Sequence, residues 1–536
     1  MNNRYLSIAL LFVVAVGGAP EARATDWTQF GYDTAHSSFN RAETGYPTPA
    51  GNAVLYHYAL PTLTGTKGPG TVDGAPVYVG DVVTPSGTKN LLFGLTNNGT
   101  LYALDADSHT LNVVWSKRPT GAGLNTAGFG SPAVDPNLQF VYAYGFDGKV
   151  HKYQIGDGAE ITTGGWPEVV TLKPNVDKGA SGLSIATAHD GSTYLYSITD
   201  GYIGDGGDYQ GHVTAIDLAT GNSKVFNSLC SNLTFHFVEN GKTTQPGQTD
   251  CGSTRNGMWG RPGAVYDDGT NRVFITTGNG PFNANTGGFN WGDSVLALNP
   301  DGSSSAGLPL DSYTPTTFQN LQNTDADLGS ESIAILPTPP AAGASYQHLG
   351  VETGKDGCVR LLRLDNLSGQ NGPTHTGGEV QALDFRGAAN NCANGGDGPE
   401  LRAQPAVWIN PADGAVWVYV ASHGSNAGGG FAAYRVNVSA GVPALAEQWT
   451  KNDADPTSPL VANGVVYYLS GSKLRAYDAV SGAAVVTAGA WTTTSIGGQH
   501  WHSPILVNGL FYLFDNANPS NLWVYQLDGE FKSGFD

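Results

Sequence analysis

The sequence predicts an all-β fold, an eight-bladed β-propeller whose blades close into a ring. Three observations support this prediction. A unit of short strands and turns recurs about eight times along the chain. Glycine accounts for 74 of the 536 residues and charged residues for only 13%, which is typical of a large β-structure with many turns. Almost no segment has the sustained apolar spacing of a helix.

Each repeating unit contains apolar runs of five to seven residues that are separated by Gly, Asn and Asp turns. A strand of small and apolar residues, usually ending in Asp or Asn, recurs in the units. Examples are residues 99–105 (GTLYALD), 211–217 (GHVTAID), 293–299 (DSVLALN) and 473–478 (KLRAYD). The units occupy residues 70–121, 128–172, 182–229, 259–315, 328–385, 400–453, 456–493 and 497–529.

The last unit has only three clear strands, and the N-terminal residues 54–60 (VLYHYAL) can supply a fourth. Such a strand would close the ring through both ends of the chain and remove its open edge. A seven-bladed ring with one degenerate unit is the alternative. The insertions 230–258 and 386–399 are expected to be loops on one face.

The first residues are typical of an export signal. Arg4 precedes a short apolar run at 6–16, and residues 22–24 (ARA) follow as a cleavage site of the A-x-A type. We therefore expect a signal peptide at 1–24, a single propeller domain at 25–536, and a periplasmic or secreted protein. An uncleaved anchor is the alternative. No other stretch approaches the length of a membrane span, so we expect none.

Net charge and cysteine content narrow the classes of function. The formal net charge of -19 argues against a nucleic-acid partner, which requires a basic surface. An exported protein can form disulfides, and Cys230 with Cys251 and Cys358 with Cys392 are the economical pairings, although other pairings remain open. There is no C-x-x-C-H haem attachment motif.

Several motifs together resemble those of the quinoprotein alcohol dehydrogenases. Residues 101–105 (LYALD) followed by Trp115 are similar to the tryptophan-docking repeat of that family. The stronger resemblance runs from Trp259 to Lys355. Its segments are residues 259–267 (WGRPGAVYD), 273–283 (VFITTGNGPFN), 293–299 (DSVLALN), 324–329 (TDADLG) and 352–360 (ETGKDGCVR). The resemblance implies a propeller that binds pyrroloquinoline quinone (PQQ).

The residue types suit that cofactor, a flat ortho-quinone with three carboxylates. By resemblance, Trp259 is the aromatic plate on which the quinone stacks. Lys355 and Arg261 are candidates for binding its carboxylates. These three residues are the expected cofactor-binding group, together with Asn279, which would also reach the metal.

A Ca²⁺ ion beside the quinone would need oxygen ligands. The resemblance points to Asn279 and Asp327 as ligands. The family's calcium-binding Glu is replaced by a loop that offers Asp205 and Asp208 instead. The catalytic base that takes the hydroxyl proton is expected to be Asp327, with Asp325 as second candidate.

Two further family features are missing, since the chain has no adjacent cysteines and Ala326 stands where a second Trp is expected. The leading hypothesis is a PQQ-dependent dehydrogenase that oxidises a small alcohol or a carbohydrate. It would pass electrons to an external acceptor such as a cytochrome c. One alternative is a polysaccharide lyase that uses a Tyr/His pair on a uronate polymer, with His212, His500 and His502 as candidates. Another is a cofactor-free binding or assembly module.

Overall fold

The computed structural model describes residues 26–47, 54–61, 70–119, 130–179, 181–202, 205–233, 247, 249–367, 375–387, 391–395, 398–423, 429–471, 473–486 and 502–527. Within them the chain forms eight sheets, seven of four strands and one of five, in the order of the predicted units. The prediction of an all-β, eight-bladed propeller is confirmed. The predicted signal peptide at 1–24 lies outside the described residues.

Two strands precede the first blade, namely β1 (Phe39–Asn40) and β2 (Val54–Ala59). Blade 1 contains β3 (Val77–Thr84), β4 (Gly87–Leu95), β5 (Leu101–Asp105) and β6 (Val113–Lys117). Blade 2 contains β7 (Ala133–Val134), β8 (Phe140–Tyr144), β9 (Lys149–Gln154) and β10 (Glu168–Val169). Blade 3 contains β11 (Asp177–Gly179), β12 (Ser184–Thr187), β13 (Thr193–Gly201), β14 (His212–Asp217) and β15 (Ser223–Asn227). Blade 4 contains β16 (Val265–Asp267), β17 (Arg272–Thr276), β18 (Val295–Leu298) and β19 (Asp311–Tyr313).

Blade 5 contains β20 (Ala334–Leu336), β21 (Leu349–Thr353), β22 (Cys358–Arg363) and β23 (Gln381–Asp384). Blade 6 contains β24 (Glu400–Ile409), β25 (Val416–His423), β26 (Phe431–Ser439) and β27 (Val442–Lys451). Blade 7 contains β28 (Leu460–Ala462), β29 (Val465–Ser470) and β30 (Lys473–Asp478), and blade 8 contains β31 (Ile505–Val507), β32 (Leu510–Phe514) and β33 (Asn521–Gln526). The α-helices of the described residues are α1 (Phe318–Thr324) and α2 (Asn391–Asn394). Short 3-10 turns lie at Ala284–Thr286, Leu328–Ser330, Ala344–Tyr346 and Phe385–Gly387.

The ring closes as predicted, because β2 pairs antiparallel with β33 and completes blade 8. Tyr58 lies opposite Leu522, and Ala59 lies opposite Asn521. The first and last parts of the chain therefore share one sheet, which leaves no open edge at the seam. Blade 7 is also completed from the N-terminal side, since β1 pairs parallel with β28.

The segment 26–47 contacts one strand in each of seven blades, the first strand in six of them and β12 in blade 3, so those strands face the axis of the ring. The contacts are backbone or side-chain hydrogen bonds of 2.7–3.3 Å that join Trp27 to Tyr78, Thr28 to Val134, Gln29 to Ile185, Thr34 to Tyr266, Ser37 to Val407, Ser38 to Val461 and Asn40 to Leu506. One short segment thus fastens the inner strands to each other. None of the helices among the described residues has the length and apolar character needed to cross a bilayer.

Tryptophans on outer strands donate hydrogen bonds to the neighbouring blade. Trp115 of blade 1 is buried, and its indole N–H donates to the carbonyl of Ile155 in blade 2 at 3.0 Å. Trp449 of blade 6 makes the equivalent bond to Ala479 in blade 7 at 3.2 Å. A repeated contact of this kind explains why the docking motif recurs in the sequence.

Both expected disulfides are present, Cys230–Cys251 and Cys358–Cys392, with Cα–Cα distances of 5.9 and 5.0 Å. The first holds the ends of the insertion that precedes Trp259. The second joins β22 to α2, and Asn394 of that helix accepts a hydrogen bond from Asn320 of α1 at 2.7 Å. The disulfides therefore support the two segments that lead to Trp259 and to Asp325.

Candidate functional site

A cavity of about 230 Å³ opens where loops from four adjacent blades, blades 3 to 6, meet. Its wall contains side chains that are distant in sequence. The lining residues are Lys178, Asp200, Gly201, Tyr202, Asp205, Tyr209, Gly257, Trp259, Asn279, Asp325, Asp327, Lys355 and Arg402. Three of these side chains are cationic and four are carboxylates, so the cavity is suited to a polar, charged ligand.

Asp327 and Lys355 form the most closely held pair in the cavity. The ammonium Nζ of Lys355 donates to Oδ2 of Asp327 at 2.5 Å, and the backbone N–H of Asn279 donates to Oδ1 at 2.7 Å. Burial raises the pKa of Asp327 above its ordinary value, although the charge of Lys355 counteracts the increase. Asp327 is therefore a buried carboxylate that protein donors hold in one orientation.

Asp325 lies beside this pair but is far more exposed, with 61% of its side chain accessible. It ends α1 in a left-handed conformation, with φ of 59°. Its carbonyl accepts from Lys355 Nζ at 2.8 Å, and its Oδ1 accepts from the side-chain amide of Asn279 at 2.7 Å. The turn at the end of α1 thereby brings both aspartates against Asn279 and Lys355.

Gly278 allows the segment carrying Asn279 to approach Asp327. A Cβ at this glycine would lie 2.7 Å from Oδ1 of Asp327 and 3.0 Å from the carbonyl of Gly257. The backbone N–H of Gly278 donates to that same carbonyl at 2.7 Å. A larger residue here would separate the segments that hold Trp259, Asn279 and Asp327.

Trp259 forms an aromatic part of the wall, and the ammonium of Lys355 lies 5.4 Å from the centre of its ring. Its backbone carbonyl accepts a hydrogen bond from Arg261 at 3.2 Å. Arg261 itself is only 2% exposed and is not among the lining residues. Burial lowers the pKa of Arg261 to about 10, while the nearby charges of Glu331 and Asp73 act in the opposite direction. Arg261 is thus buried, is bonded to the backbone of Trp259 and does not line the cavity.

The two aspartates of the loop expected to replace the family's Glu lie in different surroundings. Asp205 lines the cavity, and its Oδ1 accepts from the hydroxyl of Tyr209 at 2.7 Å. Asp208 is not in the lining, and its carboxylate lies 3.7 Å from Lys173. Among the described residues, no three His, Cys, Asp or Glu side chains form a group that could hold a metal ion. The oxygen donors that lie together are those of Asn279, Asp325 and Asp327.

Several lining residues were not predicted from the sequence. Lys178, Asp200, Tyr202 and Tyr209 all come from blade 3, and burial raises the pKa of Asp200 to about 6. Arg402 comes from blade 6. Arg402 lies in β24, the first strand of that blade, and no motif in the sequence singles it out. No local pattern marks Lys178 either.

No family model matches the chain, and no curated protein matches it. Solved structures do. A quinohemoprotein alcohol dehydrogenase from Pseudomonas putida HK5 matches with a TM-score of 0.58 at 14% identity, over 95% of this chain and 81% of that one. A quinohemoprotein alcohol dehydrogenase from Comamonas testosteroni matches with a TM-score of 0.57 at 16% identity, over 96% and 82%. This chain has the fold of the quinoprotein alcohol dehydrogenases.

A europium-containing methanol dehydrogenase is similar to the same extent, with a TM-score of 0.58 at 14% identity, over 94% of this chain and 98% of that one. The match therefore extends over most of both chains. At these identities the likeness concerns the fold, and function has to be argued from the cavity itself.

Proposed function

We propose that this chain is an exported PQQ-dependent dehydrogenase that oxidises a small alcohol or a carbohydrate hydroxyl and passes electrons to an external acceptor. One observation carries the proposal. Trp259, Asn279, Asp325, Asp327 and Lys355, which the family resemblance indicated as site residues, line a single cavity. Asp205, indicated as a substitute metal ligand, lines it too.

The residues fit the cofactor in chemical type. Trp259 offers a ring for stacking a flat quinone. Lys178, Lys355 and Arg402 offer cationic donors for its carboxylates. The volume of about 230 Å³ lies below the range of roughly 300–1,000 Å³ that is typical of small-molecule sites.

Asn279, Asp325 and Asp327 would be the residues to hold a hard cation, because they lie together and carry oxygen ligands. The ammonium of Lys355 bonds to both carboxylates, so the cation would have to displace it. Ca²⁺ is the expected ion. A similar structure is a europium-containing enzyme, and the extra carboxylate of Asp325 beside Asp327 makes a trivalent ion a second candidate. Reconstitution should therefore compare the two ions.

When bound, the quinone would accept a hydride equivalent and the cation would act as a Lewis acid. Asp327 would accept the hydroxyl proton of the substrate at Oδ2. The ammonium of Lys355 can give up its hydrogen bond to Oδ2 of Asp327, because it also donates to the carbonyl of Asp325. Asn279 would keep Oδ1 in place through its backbone N–H. Burial raises the pKa of Asp327 above its ordinary value, which makes its carboxylate a stronger base.

The lyase alternative has less support from the same cavity. Tyr202 and Tyr209 line it, but there is no histidine among the lining residues that the structure describes. His212 is fully buried, and its ring nitrogens face the carbonyls of Val170 and Gln210. His502 is also buried, and His500 lies outside the described residues.

Reconstitution tests the proposal directly. The purified protein is mixed with PQQ and either Ca²⁺ or Eu³⁺, and dye-linked oxidation of short alcohols and sugars is measured with Asp327→Asn as the matched control. We expect the wild type to bind the quinone chromophore and to show metal-dependent oxidation. We expect Asp327→Asn to lack that oxidation. If the wild type neither binds the quinone nor oxidises any substrate, the proposal fails, and a binding or assembly role is favoured.

A further inference from the structure

Blade 3 carries an additional strand that delivers Lys178 to the cavity. Strand β11 pairs with the last part of β13, placing Lys178 opposite Asp200, while β12 pairs with the first part. Among the described residues, the other seven blades have four strands each. Only 1% of the Lys178 side chain is exposed, yet it is among the lining residues.

Two charged side chains that precede Lys178, those of Lys173 and Asp177, help to hold this strand in place. Asp177 is fully buried, accepts from the hydroxyl of Thr171 at 3.1 Å and lies 3.8 Å from a ring nitrogen of His212. Lys173 lies 3.7 Å from the carboxylate of Asp208. Burying so many charges is a poor way to gain stability, because desolvation offsets much of the attraction. The arrangement is better explained by the position it gives to Lys178.

The ammonium of Lys178 is held less tightly by carboxylate than that of Lys355. Its Nζ lies 3.6 Å from Oδ2 of Asp200, whereas the Lys355–Asp327 distance is 2.5 Å. It also donates to the neutral carbonyl of Gly201 at 2.7 Å. The ring of Tyr202 lies 5.3 Å away and adds a weak cation–π contact. A ligand carboxylate at this wall would therefore be attracted by a buried ammonium, in addition to the partners that Lys178 already has.

We propose that Lys178 binds one carboxylate of a flat aromatic polycarboxylate whose ring lies against Trp259. Blade order places Trp259 of blade 4 between Lys178 of blade 3 and the pair Lys355 and Arg402 of blades 5 and 6. A ligand with carboxylates at both ends of a planar ring matches that order of cation, aromatic plate and cations. This inference rests on the proposed function, in which the polycarboxylate is PQQ.

The test measures binding rather than turnover. Each protein is titrated with PQQ, with its trimethyl ester and with pyridine-2,4,6-tricarboxylate, and binding is followed by the quenching of tryptophan fluorescence. The proteins are the wild type, Lys178→Met, Lys178→Arg and Lys224→Met. Lys224 is the control, because it is an exposed lysine of the same blade. We expect Lys178→Met to weaken both acids by about tenfold to a hundredfold, the scale of a charge-assisted hydrogen bond. Lys178→Arg should recover most of that affinity, and Lys224→Met should bind both acids as the wild type does. The affinity for the trimethyl ester should be the same in all variants, because the ester has no carboxylate charge.

The outcomes separate this inference from the function. Unchanged affinity of Lys178→Met for both acids overturns the role of Lys178, even if PQQ supports oxidation. Absence of oxidation with Lys178-dependent binding overturns the dehydrogenase and keeps the carboxylate site. Failure of both acids to bind the wild type overturns both proposals. If Lys178→Met does not fold, the double variant Lys178→Met with Asp200→Asn is titrated in its place, because it removes both buried charges. Its affinity is then compared with that of Asp200→Asn alone.

Discussion

The carboxylate of Asp293 accepts a hydrogen bond from the backbone N–H of Leu328 at 3.1 Å, in a fully buried environment. The backbone N–H of Asp293 donates to the carbonyl of Gly278 at 2.9 Å. One residue outside the cavity therefore joins the segment carrying Asn279 to the segment carrying Asp327. Neither segment belongs to a regular strand, so this bridge helps to set the distance between the two side chains.

Replacing Asp293 by Ala should leave the N–H of Leu328 buried without an acceptor, at a cost of about 1–3 kcal/mol. Asp293→Asn keeps an acceptor oxygen and should retain most of the stability. Urea unfolding measures both variants, and PQQ affinity reports whether the site is displaced. Equal stability of the Ala and Asn variants would contradict the bridging role.

Asp327→Asn should lower the rate of alcohol oxidation by about 10²–10⁴-fold, because the variant has no carboxylate to accept the hydroxyl proton. Asp325→Asn should have a smaller effect, since most of the Asp325 side chain is exposed. Steady-state kinetics with a dye acceptor measures both, and thermal melts confirm that the variants are folded. A larger loss in Asp325→Asn than in Asp327→Asn would assign the base to Asp325.

Removing the Cys358–Cys392 disulfide with a pair of Ser substitutions should cost about 2–5 kcal/mol of unfolding free energy. It should also weaken ligand binding, because Cys358 follows the turn that carries Lys355, and α2 supports α1 before Asp325. The matched comparison is the Ser pair at Cys230 and Cys251. Both pairs are measured by thermal melting and by PQQ titration, and unaltered melting on reduction of the wild type would contradict the expectation.

Stability should decrease as pH rises, partly because of Glu352. Burial raises its pKa to about 8 from an ordinary 4.5, although the charge of Arg360 counteracts this, while Asp356 and Glu379 add to it. The folded protein therefore holds this proton more tightly than the unfolded chain. The stabilisation is complete below about pH 4.5 and is lost as pH rises through about 8.

Glu352→Gln should make the pH dependence of unfolding shallower between those two values, because Gln does not titrate. Urea unfolding at several pH values measures the slope, with the exposed Glu447→Gln as control. A Glu352→Gln slope equal to that of the wild type would contradict the assignment.

Trp115→Ala should cost about 3–5 kcal/mol, because it removes a buried indole between blades 1 and 2. Trp115→Phe should cost less, since it keeps the aromatic packing and loses mainly the hydrogen bond to Ile155. Chemical denaturation distinguishes the two variants. Equal losses would mean that the hydrogen bond, rather than packing, holds the blades.

The propeller could be predicted because its information is local and repeated. Each unit contains its own alternation of apolar runs and turns, and the shortfall of one strand in the last unit pointed to residues 54–60 as its partner. The five-stranded blade 3 was not predicted, because β11 contains only three residues and no distinctive pattern. The contacts of the segment 26–47 with seven blades also depend on the closed ring.

The candidate site was predictable where its residues lie close in sequence. Trp259, Asn279, Asp325, Asp327 and Lys355 fall within one stretch whose order resembles a known family, and the cavity brings them together. The interpretation of Arg261 as cofactor-binding stays a prediction, and its buried side chain is not among the lining residues. The metal-binding roles of Asp205 and Asp208 are likewise predictions, with only Asp205 in the lining.

The amino-acid sequence was enough to predict the strands and the number of repeating units. It also predicted which types of residue would form a charged site with an aromatic wall. Strand formation depends on alternation and turns within a few residues, which is why it could be read locally. Only the tertiary structure decided which charges share the cavity. Lys178 and Arg402 are separated by more than two hundred residues, and they meet because a closed ring brings the loops of blades 3 and 6 to one opening.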